Sequence, residues 1–407
     1  MKNQSILDEK DKRIIREMNS IDWDFTSKGY LSPTEAMPFN CRKHHWYPGT
    51  FIPEIPFSLL EILSERDATI LDPFAGIGTT YFQAVILGRK PIGIESCEIA
   101  HRFSQDLIYL IKNIQELIKV AEELVEINWG YREDCDYMEM VQGEKFKEIF
   151  PDWFAHKTLN ELCYLKYRVL ESDKKICKAA FSIAISNMLM KCSSQNNGWG
   201  FIADSVKPKE LKEKRVFSFF NSNVNSLLKD VQRIKKSIDI AYLKELSIDD
   251  SLIKSNSLNL DIVLDNSIDA IITSPPYPNM IDYSQSQKLS YYFWDIPIEA
   301  DISNEIGSRR NRNQPNAIEN YRESMVKINT NLMSKLKKDA YLCYVLPYYE
   351  NDSIRGEVME CVKSDMANKG GHKVTSIIRN LPVQRRANNR KWASLGSEEI
   401  IIWKKVR

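Results

Sequence analysis

The chain has no apolar run near the ~20 residues that a membrane-spanning helix needs. Its first sixteen residues, Met1 to Arg16, are too charged to form the apolar centre of a secretory leader. A cytoplasmic location and no membrane partner are the expectation. The eight cysteines, at 41, 97, 135, 163, 177, 192, 343 and 361, include no C-x-x-C pair, so neither a disulfide framework nor a zinc ribbon is indicated. Cys41, His44 and His45 are near neighbours, but no second ligand pair is spaced to complete a tetrahedron, and no metal is expected. Internal repeats and low-complexity tracts are missing too. So is net charge: 56 Lys+Arg against 55 Asp+Glu leave +1. What the chain does have is 407 residues, 43% hydrophobic and 27% charged. That excludes disorder of the whole chain and allows two or three domains, or one elaborated domain.

The charge balance is uneven. Residues 301–407 hold 20 Lys+Arg and 12 Asp+Glu, a net +8, so the remainder carries −7. A basic C-terminal part suits a polyanion-binding face, although charge alone leaves a solvated surface equally open.

Hydrophobic periodicity orders the rest. Residues 1–50 read as an irregular lead-in. A short helix is expected at Glu54 to Glu65, followed by a buried strand at Ala68 to Asp72, a helix at Thr79 to Leu87 and a second strand at Lys90 to Glu95. Strand, glycine turn, helix, and strand ending in an acid make a βαβ unit. Cys97 to Ile127 reads as one long helix. We divide the remainder into 51–133, a cofactor half; 134–250, a mostly helical insert and candidate target-recognition region; and 251–407, a catalytic half with the basic segment. In the insert, helices are expected at Thr158 to Leu170, Lys175 to Met190 and Glu210 to Ile238. In the catalytic half, a buried strand at Ile268 to Thr273 opens into Ser274-Pro-Pro-Tyr277. A helix (Ile318 to Lys337), a strand (Ala340 to Leu346), a helix (Ser353 to Ala367) and two late strands (Val374 to Arg379, Glu399 to Lys404) follow. The pattern is that of an open α/β sheet with a helical insert.

Two motifs carry chemistry. In Leu71-Asp-Pro-Phe-Ala-Gly-Ile-Gly-Thr-Thr80 the glycines let backbone approach a ligand and turn sharply into a helix. Glu95, at the end of the next strand, is placed to take both hydroxyls of a ribose. No third glycine completes a G-x-G-x-x-G and no Gly-Lys-Ser/Thr is present, which points to a nucleoside without a pyrophosphate. Asp72 would suit a cationic or amine-bearing group. In Ser274-Pro275-Pro276-Tyr277 the prolines fix the backbone, so the carbonyls of Ser274 and Pro275 become rigid acceptors, and Tyr277 offers a flat face for stacking. Taken singly, each motif is also compatible with a plain turn or strand-closing bend.

In this order, on these elements, the two motifs resemble those of the S-adenosylmethionine-dependent DNA amino-methyltransferases of restriction–modification systems. Members carry D-P-F-x-G-x-G-T-T and S/D/N-P-P-Y/F, and the Ser form is associated mainly with cytosine-N4 methylation. Phe51-Ile-Pro-Glu-Ile-Pro56 resembles the family's cofactor-side lead-in, and Glu398-Glu-Ile-Ile-Ile-Trp-Lys404 its last strand. About half the chain is covered. The resemblance implies a Rossmann-like methyltransferase sheet and S-adenosyl-L-methionine as cofactor. It places Phe51, Pro53, Asp72, Pro73, Phe74, Gly76, Gly78, Thr79, Glu95 and Asn256 at that cofactor, and Ser274, Pro275, Pro276 and Tyr277 at the reacting base. Two departures stand out. The glycine motif precedes the catalytic motif, whereas many Ser-Pro-Pro-Tyr members run the other way. Asn256 also stands where the family often has an acid that meets adenine.

The partners implied are double-stranded DNA and a cognate restriction endonuclease acting on the same site. Arg379, Arg385, Arg386 and Arg390 form one candidate DNA-binding cluster, Arg309, Arg310 and Arg312 a second; arginine binds phosphates and reads guanine edges. The insert aromatics Trp153 and Phe154 are expected in the core. The polar loop from Lys191 to Gly200 is a candidate for target contact. Alternatives remain: adenine-N6 methylation of DNA, guanine-N2 methylation of tRNA, or a catalytically silent DNA-binding subunit. The intact motifs argue against the last.

Overall fold

The computed structural model describes residues 7–25, 39–121, 124, 126, 130–195, 207–236, 251–349, 353–381 and 395–406. Its frame is a seven-stranded sheet of order β3-β2-β1-β4-β5-β7-β6. The strands are β1 (Thr69–Asp72), β2 (Lys90–Glu95), β3 (Leu252–Lys254), β4 (Ile268–Thr273), β5 (Leu336–Tyr348), β6 (Gly371–Asn380) and β7 (Ser397–Lys405). The first five are mutually parallel, and β7 lies antiparallel between β5 and β6. This is the Rossmann-like methyltransferase sheet with a helical insert.

The central strands are apolar at successive positions because both faces are covered. Ile70, Ala270, Ile272, Tyr341, Cys343, Val345, Ile400 and Ile402 enter one core. Their alternates Leu71, Ile271, Leu342, Tyr344, Leu346, Ile401 and Trp403 enter another. The period of two thus sorts each strand between two layers. The first layer holds α1 (Glu9–Ser20), α2 (Glu54–Leu63), α3 (Thr79–Ile86), α4 (Glu98–Lys112) and the insert helices, all in one continuous core. The helices Ala317–Lys335 and Ser353–Asn368 cover the other face.

Several expectations are corrected. The lead-in contains α1, started by a capping box in which Asp8 and Asp11 each accept the other's backbone N–H. The long helix from Cys97 stops at Asn113, whose backbone leaves the helical region and whose side-chain amide donates to the Tyr109 carbonyl at 2.9 Å; a second helix, Ile114–Lys119, follows. The insert helix expected from Glu210 begins only at Val216, and the one from Lys175 ends at Ser186, with a short turn at Leu189–Cys192. The insert occupies the crossover from β2 to β3, and α4 is packed against its helix Lys175–Ser186. Trp153 and Phe154 are buried, as expected. No helix among the described residues is long and apolar enough to cross a membrane.

Candidate active site

The carboxyl ends of β1, β2 and β4 open on a crevice. That is the usual ligand position in an open α/β sheet. The glycine turn forms its floor. Gly76 (φ +54°) and Gly78 (φ +80°) both occupy the left-handed region, and a Cβ on Gly78 would meet the Phe82 ring at 2.9 Å. The Glu95 carboxylate at the end of β2 pins this turn. Its Oε2 accepts the Gly76 N–H at 2.7 Å and its Oε1 accepts the Cys97 N–H at 2.6 Å. Each carboxylate oxygen retains a further lone pair for a ligand hydroxyl. Burial pushes the Glu95 carboxyl up to about 7, against the two N–H donors; Asp72 adds to the shift and Lys254 opposes it.

Of the residues expected at the cofactor, Phe51, Pro73, Phe74, Gly76, Thr79, Glu95 and Asn256 line this crevice. Asn256 is fixed there: its Oδ1 accepts the Leu258 N–H at 2.9 Å and its Nδ2 donates to the Asn304 carbonyl at 3.0 Å. Pro53, Gly78 and Asp72 are buried behind the wall. Pro53 precedes the first turn of α2. Asp72 is the clear correction. Its carboxyl does not face an amine group in the crevice; it accepts the Thr273 hydroxyl at 2.6 Å and the Phe74 N–H at 3.1 Å, tying β1 to the residue before Ser274. Burial raises it to about 6, with the Thr273 hydrogen bond acting against the shift.

The catalytic motif reaches the same crevice. Ser274 and Pro276 line it, across some two hundred residues of sequence from the glycine turn. The Pro276 carbonyl accepts the Tyr321 hydroxyl at 3.0 Å, which holds the Pro-Pro bend against the helix Ala317–Lys335. Pro275 is buried. Tyr277 is half-buried, and its hydroxyl donates to Glu398 Oε1 at 2.8 Å.

The arginines divide. Arg309, Arg310 and Arg312 lie on the turn that follows the crevice residues Asn304, Glu305 and Ile306, and Arg310 and Arg312 are exposed. Arg379 is only 2% exposed, with Nη1 paired to Glu398 Oε2 at 2.6 Å and Nε donating to the Trp23 carbonyl at 3.0 Å. It faces the fold rather than a phosphate. Arg385, Arg386 and Arg390 lie outside the described residues, as does the second half, 196–200, of the loop from Lys191 to Gly200. No cluster among the described residues is suited to a metal.

Three wall residues have no local signal in the sequence. Tyr47 and Tyr283 stack at 5.7 Å, one from the lead-in and one after the catalytic motif. Glu305, the third, accepts the Ser284 N–H, and burial raises its carboxyl. They become neighbours only when the sheet closes the crevice.

The buried carboxylate and close-approach glycine turn fit the ribose side of a nucleoside, and the aromatic wall fits the rest of a molecule such as S-adenosylmethionine.

Comparison with known proteins agrees. Residues 8–106, from the lead-in through the glycine turn into α4, match the family model of the DNA methylases. The type II methyltransferase M.BsoBI of Geobacillus stearothermophilus is 28% identical over 62% of this chain and 53% of its own length. M.MjaII of Methanocaldococcus jannaschii is 23% identical over 80% of this chain and 75% of its own. M.MthZI of Methanothermobacter thermautotrophicus is 25% identical over 40% of this chain and 38% of its own. The chain thus matches only about half the length of M.BsoBI. The likeness to the DNA methylases thus covers residues 8–106 by the family model and a larger part of the chain in these type II methyltransferases.

Proposed function

We propose that the chain transfers a methyl group from S-adenosylmethionine to the exocyclic N4 amine of cytosine in DNA, at a specific sequence. The observation that carries this reading is the shared crevice, which Glu95, Ser274 and Pro276 all line. Relatives named as type II methyltransferases support a DNA substrate. A restriction endonuclease acting on the same site is the partner this reading implies.

S-adenosylmethionine, when bound, supplies an activated methyl group on a sulfonium. The residues Phe51, Phe74, Gly76, Thr79, Glu95 and Asn256 would hold it, with Glu95 taking the ribose hydroxyls. The chain's own work is at the amine. The nitrogen of cytosine N4 is a poor nucleophile because its lone pair is delocalised into the ring. Fixed acceptors for both N–H bonds favour the pyramidal nitrogen on which charge develops. The Ser274 hydroxyl and the Pro275 carbonyl serve as those acceptors. Wall and motif together bring amine and donor to one place. The base must leave the duplex first, and the ring of Tyr277 stacks on it. The exposed Arg310 and Arg312, and Arg385, Arg386 and Arg390 beyond the described residues, contact the phosphates.

Transfer of radiolabelled methyl from S-adenosylmethionine to unmodified phage DNA tests this. The wild-type chain should label the DNA and Ser274→Ala should be strongly slowed. A wild-type chain that binds the cofactor but labels no DNA would remove the proposal.

A further inference from the structure

The crevice is lined by charge of one sign. Glu95 and Glu305 line it, and among the described residues no lysine, arginine or histidine does. Lys254, the cation that acts on Glu95, is tied to Asp301 at 2.7 Å and to the Ser96 carbonyl at 2.5 Å. Four aromatic residues, Tyr47, Phe51, Phe74 and Tyr283, line the crevice too. Carboxylates and aromatic faces without a cation make a site for a positively charged ligand.

Glu305 is held in place from both sides. The Asn304 carbonyl accepts from Asn256 Nδ2 at 3.0 Å, and the Gly307 carbonyl accepts the Asn279 N–H at 2.8 Å. Asn256 follows β3, and Asn279 follows the Ser274–Tyr277 motif after β4. The segment 304–307 is therefore clipped to the strand ends on either side of Glu95, and Glu305 and Ile306 between the clips line the crevice. One Glu305 oxygen accepts the Ser284 N–H, and the carboxylate keeps lone pairs on the other. Burial raises this carboxyl as it does that of Glu95, so a positive charge brought beside either one favours its ionised form.

Charge is what separates the methyl donor from its product. S-adenosylmethionine carries a sulfonium in addition to an ammonium and a carboxylate that balance each other. When the methyl leaves, the electron pair of the S–C bond stays on sulfur, and the product, S-adenosylhomocysteine, is a neutral thioether. Adenine, ribose and amino-acid groups are common to both. A carboxylate attracts the extra charge of the first and finds none in the second. We propose that Glu305, with the stacked pair Tyr47 and Tyr283, reads the positive charge of the donor, so that the crevice is biased toward S-adenosylmethionine and against the thioether product. The inference rests on the methyl-transfer reading above, which supplies the ligand.

The test is calorimetry on the full chain with S-adenosylmethionine and with S-adenosylhomocysteine, read as the ratio of the two affinities. Glu305→Gln keeps an acceptor for the Ser284 N–H and removes the charge. It should cut affinity for S-adenosylmethionine about tenfold, the order of one partly screened charge pair, and leave affinity for S-adenosylhomocysteine within about twofold. A folded Glu305→Gln that weakens both ligands alike, or neither, overturns the inference. Should that variant fail to fold, Tyr283→Leu decides through the same ratio: a fall of about threefold, the loss of one cation–aromatic contact, upholds the inference, and an unchanged ratio overturns it. A wild-type chain that labels DNA, with the ratio unmoved in Glu305→Gln, removes this inference and leaves methyl transfer standing. A wild-type chain that binds neither ligand removes both.

Discussion

In the proposed reading, cofactor binding turns on Glu95. Its carboxylate already holds the glycine turn by two backbone N–H groups, so a ribose on the same oxygens finds its acceptors in place. Glu95→Ala should weaken S-adenosylmethionine binding by ~1.5–3 kcal/mol, about 10- to 150-fold, in calorimetry on a folded variant. Unchanged affinity would place the cofactor elsewhere. The pH dependence follows from burial, which raises this carboxyl to about 7. A folded-state value above the unfolded one means that the native protein holds the extra proton. The group's contribution to stability therefore falls as pH climbs from the ordinary carboxylate range to about 7. Ribose hydroxyls donate to the ionised form. Cofactor affinity should accordingly rise as pH passes through about 7, with a proton released on binding. Glu95→Gln should flatten that profile; a profile equally steep in the variant would assign the proton to another group. Asp72, also raised by burial, to about 6, has a different task. Thr273→Val removes its partner and should slow methyl transfer more than it weakens cofactor binding, because the strap lies beside Ser274.

Among the elements, the strands were the most legible in the sequence. Lys90–Glu95 and Ile268–Thr273 stand at their expected limits, because a strand buried on both faces is an apolar run with polar ends. Both motifs therefore sit at strand ends as expected, and most of the residues expected at the cofactor line one crevice. What local pattern cannot carry is the long-range part. The edge strand β3 is three residues long and has no periodicity to read. The α1 segment is mostly charged, and its signals are the Asp8–Asp11 capping box and the one-turn spacing of the buried Ile14 and Met18. The stop at Asn113 depends on one side chain bonding back to Tyr109. Arg379 looked like a DNA contact by composition, and only the pairing of β6 with β7 reveals its buried partner Glu398. Of the arginines kept for DNA, Arg310 and Arg312 belong to the turn just past the crevice wall. Replacing both with Ala should weaken DNA binding and reduce the slope of log affinity against log salt by roughly 2, since each phosphate contact releases about one counterion. An unchanged slope would show that they touch no phosphate.

For the molecule as a whole, topology brings both motifs to one sheet edge: β4 and β5 end where the strands bearing the glycine turn end, and Ser274 and Glu95 line one crevice there. The insert fills the β2–β3 crossover and shares a core with α4 behind the cofactor wall. The measurement that reaches furthest is nucleoside mass spectrometry of DNA from cells expressing the wild-type chain, with Ser274→Ala as the control. N4-methylcytosine in the first sample and a strong reduction in the second is the expected result. N6-methyladenine in its place would transfer the same machinery to adenine. No modified base, from a protein shown to bind S-adenosylmethionine, would contradict methyl transfer to DNA.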